Sequence, residues 1–293
     1  MYMKERFGGK VYRLALSSGC TCPNRENGSG GCIFCSEGGS GEFAQCAELS
    51  VSDQMKKAKE LVSAKISKSF AGYMPYFQSF SNTYGDPDVL YEKFYEAVME
   101  PDSVALSIAT RPDCISDGML IRLKELNNIK PVTVELGLQT ASDDTAALIN
   151  RGYELSIFED TYERLTGAGL EVVIHVIAGL PGEDEEMSLD TVRYLAGLRR
   201  GEHPLGVKLQ ILQILKGTRL GRLYMENDGF LEEHPIKEYT LEEYASFLRK
   251  ALEILPEDTV IHRMTGDPPK KLLISPLWTA DKKKVMNFIK INV

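Results

Sequence analysis

Cys22, Cys32 and Cys35 lie in the run Gly19-Cys-Thr-Cys-Pro-Asn-Arg-Glu-Asn-Gly-Ser-Gly-Gly-Cys-Ile-Phe-Cys-Ser36. Thiolates so spaced can hold three irons of a four-iron cluster, and an iron without a protein ligand is open to bind and activate a small molecule. Cys20 lies in the same loop, so a structural zinc site of Cys20, Cys22, Cys32 and Cys35 competes with that reading. The seven glycines between Gly19 and Glu42 favour the cluster, because they suit a loop that wraps a bulky inorganic group and turns backbone N–H groups towards its sulfides. Cys46 and Cys114 read as ordinary thiols. A disulfide framework fits poorly with Met1–Phe7, which lacks the apolar stretch of a secretory signal.

The elements that must position these cysteines alternate in kind. Short apolar runs at Val11–Leu16, Tyr73–Phe80, Val104–Ala109, Val132–Leu138, Glu171–Ala178 and Val207–Leu215 read as strands. Between them, Ser52–Ile66, Pro87–Met99, Ser116–Leu126, Ser142–Leu148, Ile157–Thr166 and Glu186–Leu198 place apolar residues at three- and four-residue intervals, as helices do. Such alternation predicts parallel strands, in an incomplete barrel or a doubly wound sheet that periodicity does not separate. In either, chemistry gathers in the loops after the carboxyl ends of strands. The unusual residues obey that rule: the cysteine loop follows the first strand, Ser81-Asn82-Thr83 the second, Thr110-Arg-Pro-Asp113 the third, Gln139-Thr140 the fourth and Gly179-Leu-Pro-Gly182 the fifth. After Gly217 the pattern changes to a helix near Leu241–Leu255, a strand at Thr259–Arg263 and the basic clusters Lys270-Lys271 and Lys282–Lys284.

Composition narrows the field. With 293 residues and a net charge of -8, the chain can bury an ample core but is a poor candidate for gripping nucleic acid over its whole surface. No apolar stretch approaches the roughly 20 residues that span a bilayer, so we expect a cytoplasmic protein with no membrane partner. Glu135 and Lys208 sit in apolar strands, where charge requires a partner or a polar cavity.

Taken in order, Lys10-Val-Tyr-Arg-Leu14, Cys22-Pro-Asn-Arg25, Gly31-Cys-Ile-Phe-Cys35, Tyr76-Phe-Gln78, Thr110-Arg-Pro-Asp113, Glu135-Leu-Gly-Leu-Gln-Thr140, Asn150-Arg-Gly152, Gly179-Leu-Pro-Gly182 and Lys216-Gly-Thr218 make the chain resemble a radical S-adenosylmethionine (SAM) enzyme of the YtqA/YhcC group. The cysteine spacing departs from the superfamily's commonest pattern and is similar to that of the radical domain of the elongator catalytic subunit. That relative also has an acetyltransferase domain, for which this chain has no room.

The resemblance implies an α/β fold: a partial (β/α)6 TIM-type barrel at residues 1–218, with the cluster loop at 19–42 and a C-terminal α/β extension at 219–293 packing on the barrel. It implies a [4Fe-4S] cluster on Cys22, Cys32 and Cys35, with SAM on the open iron and cleaved to a 5′-deoxyadenosyl radical. It places Ser81, Asn82 and Thr83 where the superfamily meets the methionyl amino group, here through backbone carbonyls. It also makes Gln139 and Arg151 similar to the cofactor-contacting pair of oxygen-independent coproporphyrinogen oxidase, with His175 where that relative has an aspartate.

An electron donor such as flavodoxin or ferredoxin follows, with tRNA as the suggested substrate through the 5-substituent of a wobble uridine, such as a carboxymethylaminomethyl group. The alternatives are a radical oxidoreductase acting on a small molecule or protein, and a zinc-stabilised binding module. Thr110-Arg-Pro-Asp113 reads either as part of the site or as a strand-ending turn in which Asp113 caps the next helix. Lys216, Arg263 and Asp267 are either residues of the substrate entrance or surface charges.

Overall fold

The computed structural model describes residues 2–39, 41, 43–199, 201–226 and 228–293. Its frame is a sheet of seven parallel strands: β1 (Lys10–Leu16), β2 (Phe70–Phe77), β3 (Leu106–Thr110), β4 (Val132–Gln139), β5 (Glu171–Ala178), β6 (Gly206–Ile211) and β8 (Val260–Arg263), while β7 (Ile214–Leu215) and β9 (Leu273–Ser275) pair antiparallel beside it. Strand order follows chain order. A doubly wound sheet reverses direction at a switch point; an open barrel keeps one direction, as here.

Side-chain alternation explains which residues face which way. Leu14 and Leu16, Val134 and Leu136, Ile174 and Val176, and Leu209 and Ile211 join the core beneath the helices. Their neighbours Arg13 and Ala15, Glu135 and Gly137, His175 and Ile177, and Gln210 line the interior cavity instead. Helices cover the outer face, and several start on side-chain caps: Ser50, Asp86, Ser116, Ser142, Asp184 and Thr240 each accept a first-turn N–H. Ser116, not Asp113, caps the helix Asp117–Asn127; Asp113 sits in a 3-10 turn and takes the Arg111 guanidinium.

Two expected strands are cut differently. β2 starts and ends three residues earlier than the apolar run suggests, because the chain turns at Phe80, where φ is 56°. The run Val207–Leu215 divides into β6 and β7, since Ile214 and Leu215 leave the sheet to pair with Ser275 and Leu273. The strand expected at Thr259–Arg263 is β8, which lies parallel to β6 and completes the sheet. The segment after Gly217 therefore contributes to the barrel wall itself. A short N-terminal helix, Tyr2–Phe7, closes the opposite end, with Arg6 bonded at 2.6 Å to Glu171 at the start of β5.

Candidate active site

A cavity of about 620 Å³ opens at the carboxyl ends of the strands, in the size range of small-molecule sites. Cys22, Cys32 and Cys35 all line it. The loop bearing them is pinned from several directions. Cys22 precedes the helical turn Pro23–Glu26, and Arg25 donates from there to the carbonyls of Cys35 and Ser36. The Asn24 side chain donates to the Asn150 carbonyl at 2.6 Å, while Asn150 returns bonds to the carbonyls of Ser29 and Gly31. Gly152 has φ +82° and would drive a Cβ to 2.5 Å from Asn24, so no larger residue fits against the loop. Ile33, between two of the cysteines, is buried in a small core with Ile149, Leu180, Leu212, Ile214 and Leu220, and its carbonyl accepts the Leu220 N–H. This anchor was not legible in the sequence, because its partners come from four distant segments.

Three thiols facing one cavity form a soft donor set suited to iron–sulfur ligation. Burial, with the neighbouring Cys35 thiol second, pushes Cys32 up to about 12, so a bound metal would be needed to hold it as a thiolate at neutral pH. Cys20 does not line the cavity; its thiol points to the Asn82 carbonyl at 3.8 Å. The fourth sulfur of the zinc reading is therefore turned away. Among the described residues, no group of three His, Cys, Asp or Glu converges to hold a single metal ion.

The other expected site residues divide into lining and support. Gln139 lines the cavity from a left-handed backbone conformation (φ 64°) at a bulge of β4. His175 lines it from β5. Ser81, Asn82 and Thr83 are buried, and their side chains bond within the protein: Ser81 and Thr83 to Thr110, and Asn82 to Ser18, Phe77 and Ala109. None of the three lines the cavity, and the backbone N–H groups of Ser81 and Asn82 are taken by the Thr21 and Ala109 carbonyls.

Arg151, which the resemblance pairs with Gln139 as a cofactor contact, does not line the cavity. It is fully buried, with Nε on the Tyr153 carbonyl, Nη1 on the carbonyls of Leu138 and Thr140, and Nη2 on Asp143. It braces the end of β4 rather than entering the cavity. The rim arginine that lines the cavity is Arg111, paired with Asp113 and lying over the Tyr153 ring. Arg263 and Asp267 line the cavity too, whereas Lys216 is exposed and does not.

Deeper inside, Glu135 gathers five donors. Arg13 (2.5 Å) and Ser107 (2.9 Å) bind Oε1; Tyr76 (2.8 Å), His175 Nε2 (2.8 Å) and Lys208 bind Oε2. Burial opposes its charge, but Lys208 and Arg13 outweigh burial and hold the carboxyl well below the usual range. Burial, reinforced by Lys208, pushes His175 down to about 4 despite Glu135, so the ring is neutral at pH 7 and donates its Nε2–H. Burial likewise lowers Lys208 to about 7 against the pull of Glu135.

The chain matches the Radical SAM superfamily over residues 17–195 and the Radical_SAM C-terminal domain over residues 204–293. It is 37% identical to protein YtqA of Bacillus subtilis over 98% of this chain and 86% of that protein. A tRNA uridine(34) acetyltransferase of Methanocaldococcus jannaschii is 26% identical over 58% of this chain and 30% of its own length. The solved structure of Methanocaldococcus infernus Elp3 with an N-terminal deletion superposes with a TM-score of 0.67 at 16% identity, covering 97% of this chain and 63% of that one. At that identity the likeness is one of fold.

Proposed function

The chain belongs to the radical SAM superfamily, whose members bind a [4Fe-4S] cluster and SAM and require a reductant, and from that premise we propose that it modifies the 5-substituent of a tRNA wobble uridine. When bound, cluster and SAM supply one-electron chemistry that removes a hydrogen atom from carbon. The observation that carries the reading is a single cavity lined by Cys22, Cys32 and Cys35 at the rim and by polar strand residues within.

On this reading Cys22, Cys32 and Cys35 hold the cluster, while Gln139 and His175 face cofactor or substrate. Ser81, Asn82 and Thr83 offer backbone carbonyls to the cofactor, and Arg151 keeps the end of β4 in place. Enclosure by the barrel wall excludes water from the reacting atoms. The tRNA arm rests on the relative named for uridine 34 of tRNA, which the chain matches over 30% of that relative's length; acetyl transfer is not carried across. The exposed Lys282–Lys284 cluster adjoins the mouth, since Lys282 binds Asp267, a lining residue. Such lysines can meet anticodon phosphates while one base enters the cavity.

The test is incubation of the anaerobically reconstituted protein, reduced by flavodoxin or ferredoxin, with tRNA bearing carboxymethylaminomethyluridine. We expect deoxyadenosine formation to rise and the wobble nucleoside to lose its carboxymethyl group as glyoxylate, a two-electron oxidation whose oxidant would be SAM and whose C–N bond water would cleave to leave the aminomethyl group. If that tRNA neither stimulates the reaction nor changes mass, the tRNA reading fails.

A further inference from the structure

We propose that the inner wall of the cavity, where β6 and β8 lie side by side, is an anion subsite in which Arg263 takes a carboxylate of the substrate. This deepens the uridine reading and rests on it for the identity of the group that carries the carboxylate.

The chain is acidic overall, yet this wall is cationic. Lys208 and Arg263 are register partners on β6 and β8, at mid-height in the barrel. The charged residues lining the cavity are Arg13, Lys65, Arg111 and Arg263 against Glu135 and Asp267. Both carboxylates are already matched: Glu135 by Arg13 and Lys208, Asp267 by Lys282. Arg111 is matched by Asp113, and Lys65 is exposed to solvent.

Arg263 is the charge left over. It is partly buried, and among the described residues its guanidinium has no ion pair and no hydrogen-bond partner. A half-buried guanidinium with no counter-ion favours an anion, and its planar fork matches both oxygens of a carboxylate. A second donor waits nearby: Gln213, which lines the same cavity, has a buried Nε2 with no partner among the described residues. Gly266 leaves room for that amide, since a Cβ there would lie 3.0 Å from Nε2. Mid-height in the barrel is reached by the arm of a base and not by the tRNA backbone, which selects a carboxylate over a phosphate.

Calorimetric titration of the reconstituted, SAM-loaded enzyme tests this with four probes: uracil-5-acetic acid, its amide, phenylacetate and phenylacetamide. Each acid is expected to bind at least about tenfold more tightly than its amide. Arg263→Gln should bring that ratio close to one, and Arg263→Lys should restore part of it, with both variants checked for an unchanged melting transition. A ratio near one in the parent protein, a ratio that survives Arg263→Gln, or no binding of any probe overturns the subsite. If the acid preference depends on Arg263 but uracil binds no better than phenyl, the subsite stands and the uridine reading falls. Uracil preference without acid preference gives the reverse.

Discussion

The rim and the interior of this barrel are built by different physics. The rim is a long glycine-rich loop of soft thiols, held by hydrogen bonds with Asn150, by close packing on Gly152 and by the buried Ile33. The interior is a rigid set of strand side chains in which one carboxylate is shared among two cations, a tyrosine, a serine and a neutral histidine. The rim suits a large group of fixed chemistry, whereas the interior presents individual strand side chains to whatever enters the cavity. A family can thus keep its reaction at the rim and its substrate choice on the wall.

The sharpest way to break this contrast is at the rim. Replacing any of Cys22, Cys32 and Cys35 with alanine should abolish the brown colour and the binding of about four irons after reconstitution, while Cys20→Ala should retain both. Iron analysis and visible absorption decide it; loss of iron on removing Cys20 would return the zinc reading.

The next largest effect is expected inside. Glu135→Gln removes the counter-charge of the half-buried Arg13 and the buried Lys208 and should cost about 3–5 kcal/mol in stability. Adding Lys208→Met should recover part of that loss, because it removes a buried charge. Denaturant melts measure both, and additive losses would show that the network is not coupled.

The smallest effect concerns pH. The His175 pKa is lowered from 6.5 to about 4 in the folded chain, so between those values the unfolded chain binds the extra proton. Stability is then complete above about pH 6.5 and falls as pH drops towards 4, by about 3 kcal/mol from this group. His175→Asn should flatten that part of the stability profile; an unaltered slope would mean that other groups dominate acid unfolding.

Sequence alone determined the strand-helix alternation, the cysteine spacing and the single rim on which the loops gather, because each depends on local periodicity and on the rule that parallel strands present their carboxyl ends together. It also pointed to a polar cavity around Glu135 and Lys208, since charge inside apolar strands is costly unless a partner or a polar space receives it. The direction of individual side chains was another matter. Arg151 stands twelve residues from Gln139 in the chain, and only the fold shows that neighbouring carbonyls hold its guanidinium outside the cavity. The break after β6, the addition of β8 to the sheet and the meeting of Arg263 with Lys208 likewise belong to tertiary structure. They join residues more than fifty positions apart, and such contacts are selected by closure of the barrel rather than by any preference of the local chain.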